Sequence, residues 1–162
     1  MAVQFTTRKM SPADADRLRE IAALSFSRFM AFFAVHSLFS DEGQVLVSEA
    51  EGKAVGFAKL IEFQLGPNKL GCLLWIAVHS DFRRNGVASA LITEGIKRLK
   101  QDGAKAVFAS TQRRNSRALN VLSRNGFRRM GFLQLWRIFS WRLFEFYGDI
   151  WLAPGEIVLM HD

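Results

Sequence analysis

The chain has 162 residues, 49% of them hydrophobic and 23% charged, with a net charge of +7. That length suits one domain with a real core, and that composition excludes a disordered chain. The uncharged apolar run at residues 29–35 is too short to span a bilayer, which takes roughly 20 residues, so no transmembrane segment is expected there.

In chain order, Val3–Arg8 is expected as a short strand. Ser11-Pro12-Ala13-Asp14 opens a helix, with Ser as N-cap, Pro at the first helical position and acids in the first turn. Leu18, Ile21, Ala22 and Leu24 give it an apolar face, and a second apolar helix is expected over Phe29–Leu38. QVLVSEA and AVGFAKLIEFQL, separated by Glu51-Gly52-Lys53, predict a hairpin. Gly66-Pro67-Asn68 turns the chain into a strand over Leu70–Val78, whose apolar run suits a central position.

A helix is expected over Gly86–Lys100, with Lys97, Arg98 and Lys100 at the negative end of its dipole. AKAVFAST reads as a further strand. Asn115 caps a helix over Ser116–Arg124 that Asn125-Gly126 stops, and Phe127 opens the next strand. Two β-α crossovers support locally parallel pairing in a mixed α/β domain. Residues 133–147 hold ten apolar side chains and suit one helix, and DIWLAPGEIVLM reads as two short strands around Pro154-Gly155.

The opening MAVQFTTRKM has no apolar h-region, so no signal peptide is expected. Cys72, the single cysteine, cannot form an internal disulfide, and both features fit a cytoplasmic protein. The charge is uneven. Residues 83–142 carry fourteen Lys or Arg against Glu94 and Asp102, whereas the first 82 residues hold eight basic and nine acidic groups. A positive field so local attracts an anion: a cofactor's phosphates, nucleic acid or an acidic membrane.

Arg83, Arg84, Asn85 and Gly86 stand where a buried strand meets a helix. The start of a helix offers unpaired backbone N–H groups and about half a positive charge, aimed beyond the strand's carboxyl end. Gly86 clears a side chain from that space, Ala88 keeps the next turn shallow, and the arginines add positive charge. Physically this suits a pyrophosphate cradle, while an ordinary strand-to-helix loop with exposed arginines is the alternative that these four residues by themselves favour. No P-loop pattern is present, and the stretch lacks the second glycine of a dinucleotide-binding turn.

Arg83-Arg84-Asn85-Gly86-Val87-Ala88 resembles the (Q/R)xxGx(G/A) signature of the GCN5-related N-acetyltransferases, after a strand ending Ala77-Val78. Asn115-Ser116-Arg117-Ala118-Leu119 and Asn125-Gly126-Phe127 resemble that family's second signature. The likeness covers residues 3–133. It implies one acyltransferase domain over 1–162, with 134–162 as an aromatic extension. It also implies a central mixed sheet flanked by helices, and acetyl-CoA or another acyl-CoA as co-substrate. The backbone from Arg84 to Ala88, with Ser89 and the Arg83 side chain, would hold the pyrophosphate. Ala77 and Val78 would pair with the pantetheine amides where neighbouring strands splay, and Asn115 would face the pantetheine arm. The implied reaction is direct attack of an amine, from a small molecule or a protein, on the thioester.

Two positions depart from the pattern. Leu122 stands where many members carry a tyrosine acid; Ser123 points elsewhere on its helix, and the only tyrosine is Tyr147. Cys72 stands at a position often held by a carboxylate base. The base candidates are His79, Glu62 and His36. The rival reading is a catalytically weak or inactive acyl-CoA-binding or nucleic-acid-binding module. The nucleic-acid reading rests on Arg113, Arg114, Arg117, Arg124, Arg128 and Arg129, but no RNA-binding motif accompanies them and a solvated basic face is the stronger expectation. For the aromatic block at 133–147 the first reading is packing on the domain's own sheet. The others are a homodimer surface, or a wall for an apolar acceptor or a membrane surface.

Overall fold

The computed structural model describes residues 3–162. Its strands are β1 (Thr6–Lys9), β2 (Gln44–Ala50), β3 (Lys53–Leu65), β4 (Asn68–Val78), β5 (Val107–Gln112), β6 (Arg128–Met130) and β7 (Glu156–His161). The helices are α1 (Ala15–Ser25), α2 (Arg28–Leu38), α3 (Val87–Gln101), α4 (Ser116–Arg124), α5 (Phe132–Phe139) and α6 (Leu143–Asp149). The strands form one mixed sheet in the order β1-β2-β3-β4-β5-β7-β6, flanked by helices, as the sequence leads one to expect. The chain divides into two compact units. One holds the residues up to Leu60 together with Trp75–Gly95, and the other holds Ile61–Leu74 and Ile96–Asp162.

In the first unit, β2 and β3 are the expected hairpin. Glu51 and Gly52 both take left-handed backbone (φ 52° and 75°), the hand that matches the twist of paired strands. The expected helix start at Ser11 is a 3-10 turn over Pro12–Asp14 that leads into α1, and it is tied down from both sides. Asp14 accepts from the Ser11 backbone N–H at 2.8 Å and takes a two-pronged bond from Arg8 at 2.8 and 2.9 Å. Arg8 reaches Glu49 at 2.6 Å through its Nε, so one guanidinium links β1, β2 and the turn before α1. Leu18, Ile21 and Ala22 of α1 then bury against Val45, Val47 and Phe57. The first strand begins later than the sequence suggests, at Thr6, because its register is set by β2, with Thr6 opposite Glu49.

In the second unit, β4 and β5 are parallel over Gly71–Leu73 and Val107–Ala109. The second crossover does not place β6 beside β5. β7 lies between them, antiparallel to both, with Phe108 opposite Met160 and Arg129 opposite Leu159. Phe146 centres the core, 4.7 Å from the Phe108 ring and 4.5 Å from that of Phe139.

The C-terminal block corrects two expectations. The single helix over 133–147 is broken at Ser140 (φ 51°), where a short 3-10 turn separates α5 from α6. Bending the chain there lets Leu135 and Phe139 reach the same core as Leu143 and Phe146. The pair of strands around Pro154-Gly155 is one strand only, since α6 continues to Asp149 and residues 150–155 turn into β7. Packing on the domain's own sheet holds for Leu135, Leu143, Phe146 and Ile150, but Phe132, Leu133, Trp141 and Phe144 stay exposed.

Arg8 holds the Asp14 carboxyl down to about 2, so this contact stabilises the fold fully above about pH 4 and is lost as the pH falls toward 2. Asp14→Asn is expected to lower the unfolding free energy by roughly 2 kcal/mol at neutral pH. In urea titrations the gap from wild type closes as the pH is lowered below about 4.

Candidate active site

The cradle is built where β4 hands over to α3. After Val78 the backbone N–H of His79 still bonds β3, donating to the Val55 carbonyl at 2.8 Å. Ser80–Phe82 then makes a 3-10 turn, with His79 as its cap: the imidazole Nδ1 accepts from the Asp81 N–H at 3.3 Å. Arg83 turns back on the strand. Its Nε donates to the Val78 carbonyl at 3.0 Å, and Nη2 lies 3.5 Å from Ser25 Oγ at the end of α1. Asn85 donates through Nδ2 to the carbonyls of Phe82 and Arg83, at 3.2 and 3.0 Å. Three polar side chains thus fasten the loop to itself and to the strand it leaves.

The backbone is then free to face outward. Arg84 and Gly86 are both left-handed (φ 64° and 82°), a geometry that turns successive N–H groups of a short loop to one side. A Cβ built on Gly86 meets no atom within 4 Å, so the space ahead of the helix is open. The first bond within α3 runs from the Ala90 N–H to the Gly86 carbonyl. The amides of Val87 and Ala88 therefore lie ahead of the helical ladder, at the positive end of a helix of fifteen residues. Arg84 is exposed and Val87 buried, so the turn presents charge outward and anchors itself inward.

One positioning residue escapes sequence reading. Gly56, in the middle of β3, is where the first two turns of α3 sit. A Cβ there would lie 3.0 Å from the Ala77 carbonyl, 3.1 Å from Val87 and 3.3 Å from Leu91. Its signal was a lone glycine inside an apolar strand, a mark of close backbone approach.

The other candidate residues divide between structure and surface. The β4–β5 ladder ends at Leu73, and β4 carries on past it, without β5 beside it, through Ala77 to Val78. Asn115 is the N-cap of α4, in the second unit, with Oδ1 accepting from the Ala118 N–H at 3.2 Å. Leu122 is buried in place of a tyrosine hydroxyl, and Ser123 is exposed. Tyr147 is half-buried on α6, and desolvation raises its pKa. Cys72 is fully buried, which pushes its thiol far up. Glu62 is ion-paired with Lys69. The His79 Nε2 faces Glu20 at 3.9 Å. His36 is exposed on α2, where it lines a cavity of about 380 Å³ with Arg19, Arg28 and Phe32.

Residues 14–127 match the model of the acetyltransferase (GNAT) family. The chain belongs to the GNAT family. This acetyltransferase is 26% identical over 136 residues to an N-alpha-acetyltransferase of Sulfurisphaera tokodaii, covering 77% of its own length and 81% of that protein. Its fold is similar to the ribosomal-protein-S18-alanine N-acetyltransferase of Escherichia coli, with a TM-score of 0.70 and 17% identity over 98% of this chain and 93% of the other. It is similar also to the PaiA N-acetyltransferase of Thermoplasma acidophilum in complex with coenzyme A, with a TM-score of 0.70 and 15% identity over 98% and 99% of the two chains. As a GNAT enzyme it is an N-acetyltransferase with acyl-CoA as co-substrate. Among the described residues no helix is long and apolar enough to cross a membrane, and no cluster of metal-ligating side chains occurs.

Two substitutions separate the cradle from the fold. Gly86→Glu places a side chain and a negative charge in the open space, and is expected to reduce CoA affinity at least 100-fold in calorimetric titration. Its melting temperature should match that of Gly86→Ala, since both carry the same left-handed strain. Gly56→Val overpacks the seat of α3 and is expected to cost about 1–3 kcal/mol of stability in urea unfolding.

Proposed function

We propose that this enzyme acetylates α-amino groups, such as a peptide N-terminus, by direct attack of the neutral amine on the acyl-CoA thioester. One observation carries the reading: two of the three candidate bases, His79 and Glu62, are engaged elsewhere, and the third, His36, lies exposed on α2. The His79 Nδ1 holds the Asp81 amide, Glu62 holds Lys69, and the Cys72 thiol is buried and kept protonated. An acceptor that must arrive unprotonated is selected by its own pKa. α-Amines titrate near 7.7–8.0 and lysine near 10.4, a difference of roughly 300-fold in neutral fraction at pH 7. The name of the Sulfurisphaera tokodaii relative, an N-alpha-acetyltransferase, supports the same class.

In this reading the amides from Arg84 to Ala88, with Ser89 beside them, receive the pyrophosphate of acyl-CoA, and Arg84 adds charge at the rim. The Arg83 side chain, already bonded to Val78 and Ser25, contributes chiefly by holding that loop in shape. Ala77 and Val78 pair through their backbone with the pantetheine amides. The amine nitrogen bonds to the carbonyl carbon, a backbone N–H of the β4 end stabilises the oxyanion, and the C–S bond breaks to release CoA thiolate. A thiol with an ordinary pKa near 8.5 leaves as thiolate near neutral pH without an acid, which agrees with Leu122 at the tyrosine position. The amine's remaining proton passes to water.

The test is a pair of peptides, one with a free N-terminus and no lysine, the other N-terminally blocked with one lysine. At pH 7 kcat/KM for the first is expected to exceed the second at least 100-fold. Its pH profile should rise with the acceptor's own pKa and shift when that pKa is changed. An inflection that stays fixed while the acceptor changes would reveal an enzyme base and overturn the proposal.

A further inference from the structure

The fold leaves α5 almost uncovered, although its sequence, FLQLWRIF, is apolar on nearly every side. Leu135 is buried and Phe139 half-buried, but Phe132, Leu133, Trp136 and Ile138 are 40–69% exposed. Trp141 and Phe144, each 68% exposed, continue the same apolar surface past the break at Ser140. Helices of this composition are normally covered, so a partner is called for.

The charge around the patch says which. Residues 128–144 carry four arginines and no acidic residue, although Arg128 pairs with Asp162 and Arg142 with the neighbouring Glu145, at 3.0 and 3.5 Å. Arg137 is exposed on α5, and the Arg142 guanidinium lies over the Trp141 ring, 5.0 Å from its centroid. Self-association about a twofold axis would lay the patch on itself and press arginine against arginine in an apolar contact. An anionic bilayer surface accepts both features. Phe, Leu and Trp enter the boundary between headgroups and acyl chains, while the arginines meet the lipid phosphates above it.

We propose that α5 and the following segment to Phe144 dock this enzyme on anionic lipid surfaces. The assignment is independent of the acceptor chemistry. The test uses the full chain with vesicles of phosphatidylcholine, with and without phosphatidylglycerol, read by co-sedimentation and tryptophan emission. Binding is expected for the anionic vesicles alone, with a blue shift, and should weaken as salt is raised. Trp136→Ala with Trp141→Ala, both at exposed sites, should lose at least tenfold in vesicle affinity and keep the wild-type melting temperature. Arg137→Gln with Arg142→Gln should lose binding while keeping the aromatic residues.

Three results would overturn the proposal. One is no binding to the anionic vesicles. Another is binding that survives both double variants but is lost in Phe29→Ser with Phe32→Ser on α2, where Phe29 and Phe32 are also exposed. The last is a dimer in sedimentation velocity that the Trp136 and Trp141 changes dissociate, which would give the face to a second copy of the chain.

Discussion

The contact between Gly56 and the first two turns of α3 governs the position of the cradle. With no side chain on β3 at that point, Val87 and Leu91 come down onto the strand, and the Ala77 carbonyl of β4 lies beside them. The helix start is thereby fixed against the end of the strand that precedes it, so backbone amides at the turn have one place to point. The same device recurs toward the other end of α3. A Cβ at Gly71 of β4 would come within 3.0–3.1 Å of the Leu99 side chain. Each glycine lets its own part of α3 lie close on the strand beneath it.

The polar side chains of the junction complete that rigidity, and their use there shapes the chemistry. Arg83, Asn85 and His79 commit their hydrogen bonds to the carbonyls of Val78, Phe82 and Arg83 and to the amide of Asp81. A histidine whose Nδ1 is fixed by a backbone amide is a cap, and an arginine folded onto a strand end is a brace. What they supply is orientation of the backbone donors, which matters more than acid catalysis when the leaving group needs little help. In the proposed reaction, with Leu122 buried and Cys72 kept as a thiol, proton transfer is left to the acceptor and to solvent.

At the opposite extreme of the chain, a single ring organises the packing. Phe146 meets Phe108, Phe139 and Tyr147, so α6 is anchored, and α5 is held through Leu135 and Phe139. The break at Ser140 makes that arrangement reachable, since in a continuous helix Phe139 and Phe146, seven residues apart, would lie about two turns, roughly 10 Å, from each other along the axis. The consequence is an apolar surface at Phe132, Leu133 and Trp141 that remains in contact with solvent.

Much of this protein was legible in the chain itself. The Ser11 and Asn115 caps, the Glu51-Gly52 turn, the start of α3 after Gly86 and the α4 boundaries at Ser116 and Arg124 are each encoded within a few residues, because capping and turn formation are local hydrogen-bonding problems. The family signature was readable for the same reason, being a strand end, a glycine turn and a helix start in one continuous stretch. What only the tertiary structure decided are the pairings between distant residues. Arg83 finds Ser25 58 positions away, Gly56 meets Val87, and β7 enters between β5 and β6 after the chain has finished both. No periodicity reports such partners, since which strand lies next to which, and which side of an arginine is already occupied, is settled by how the whole core closes.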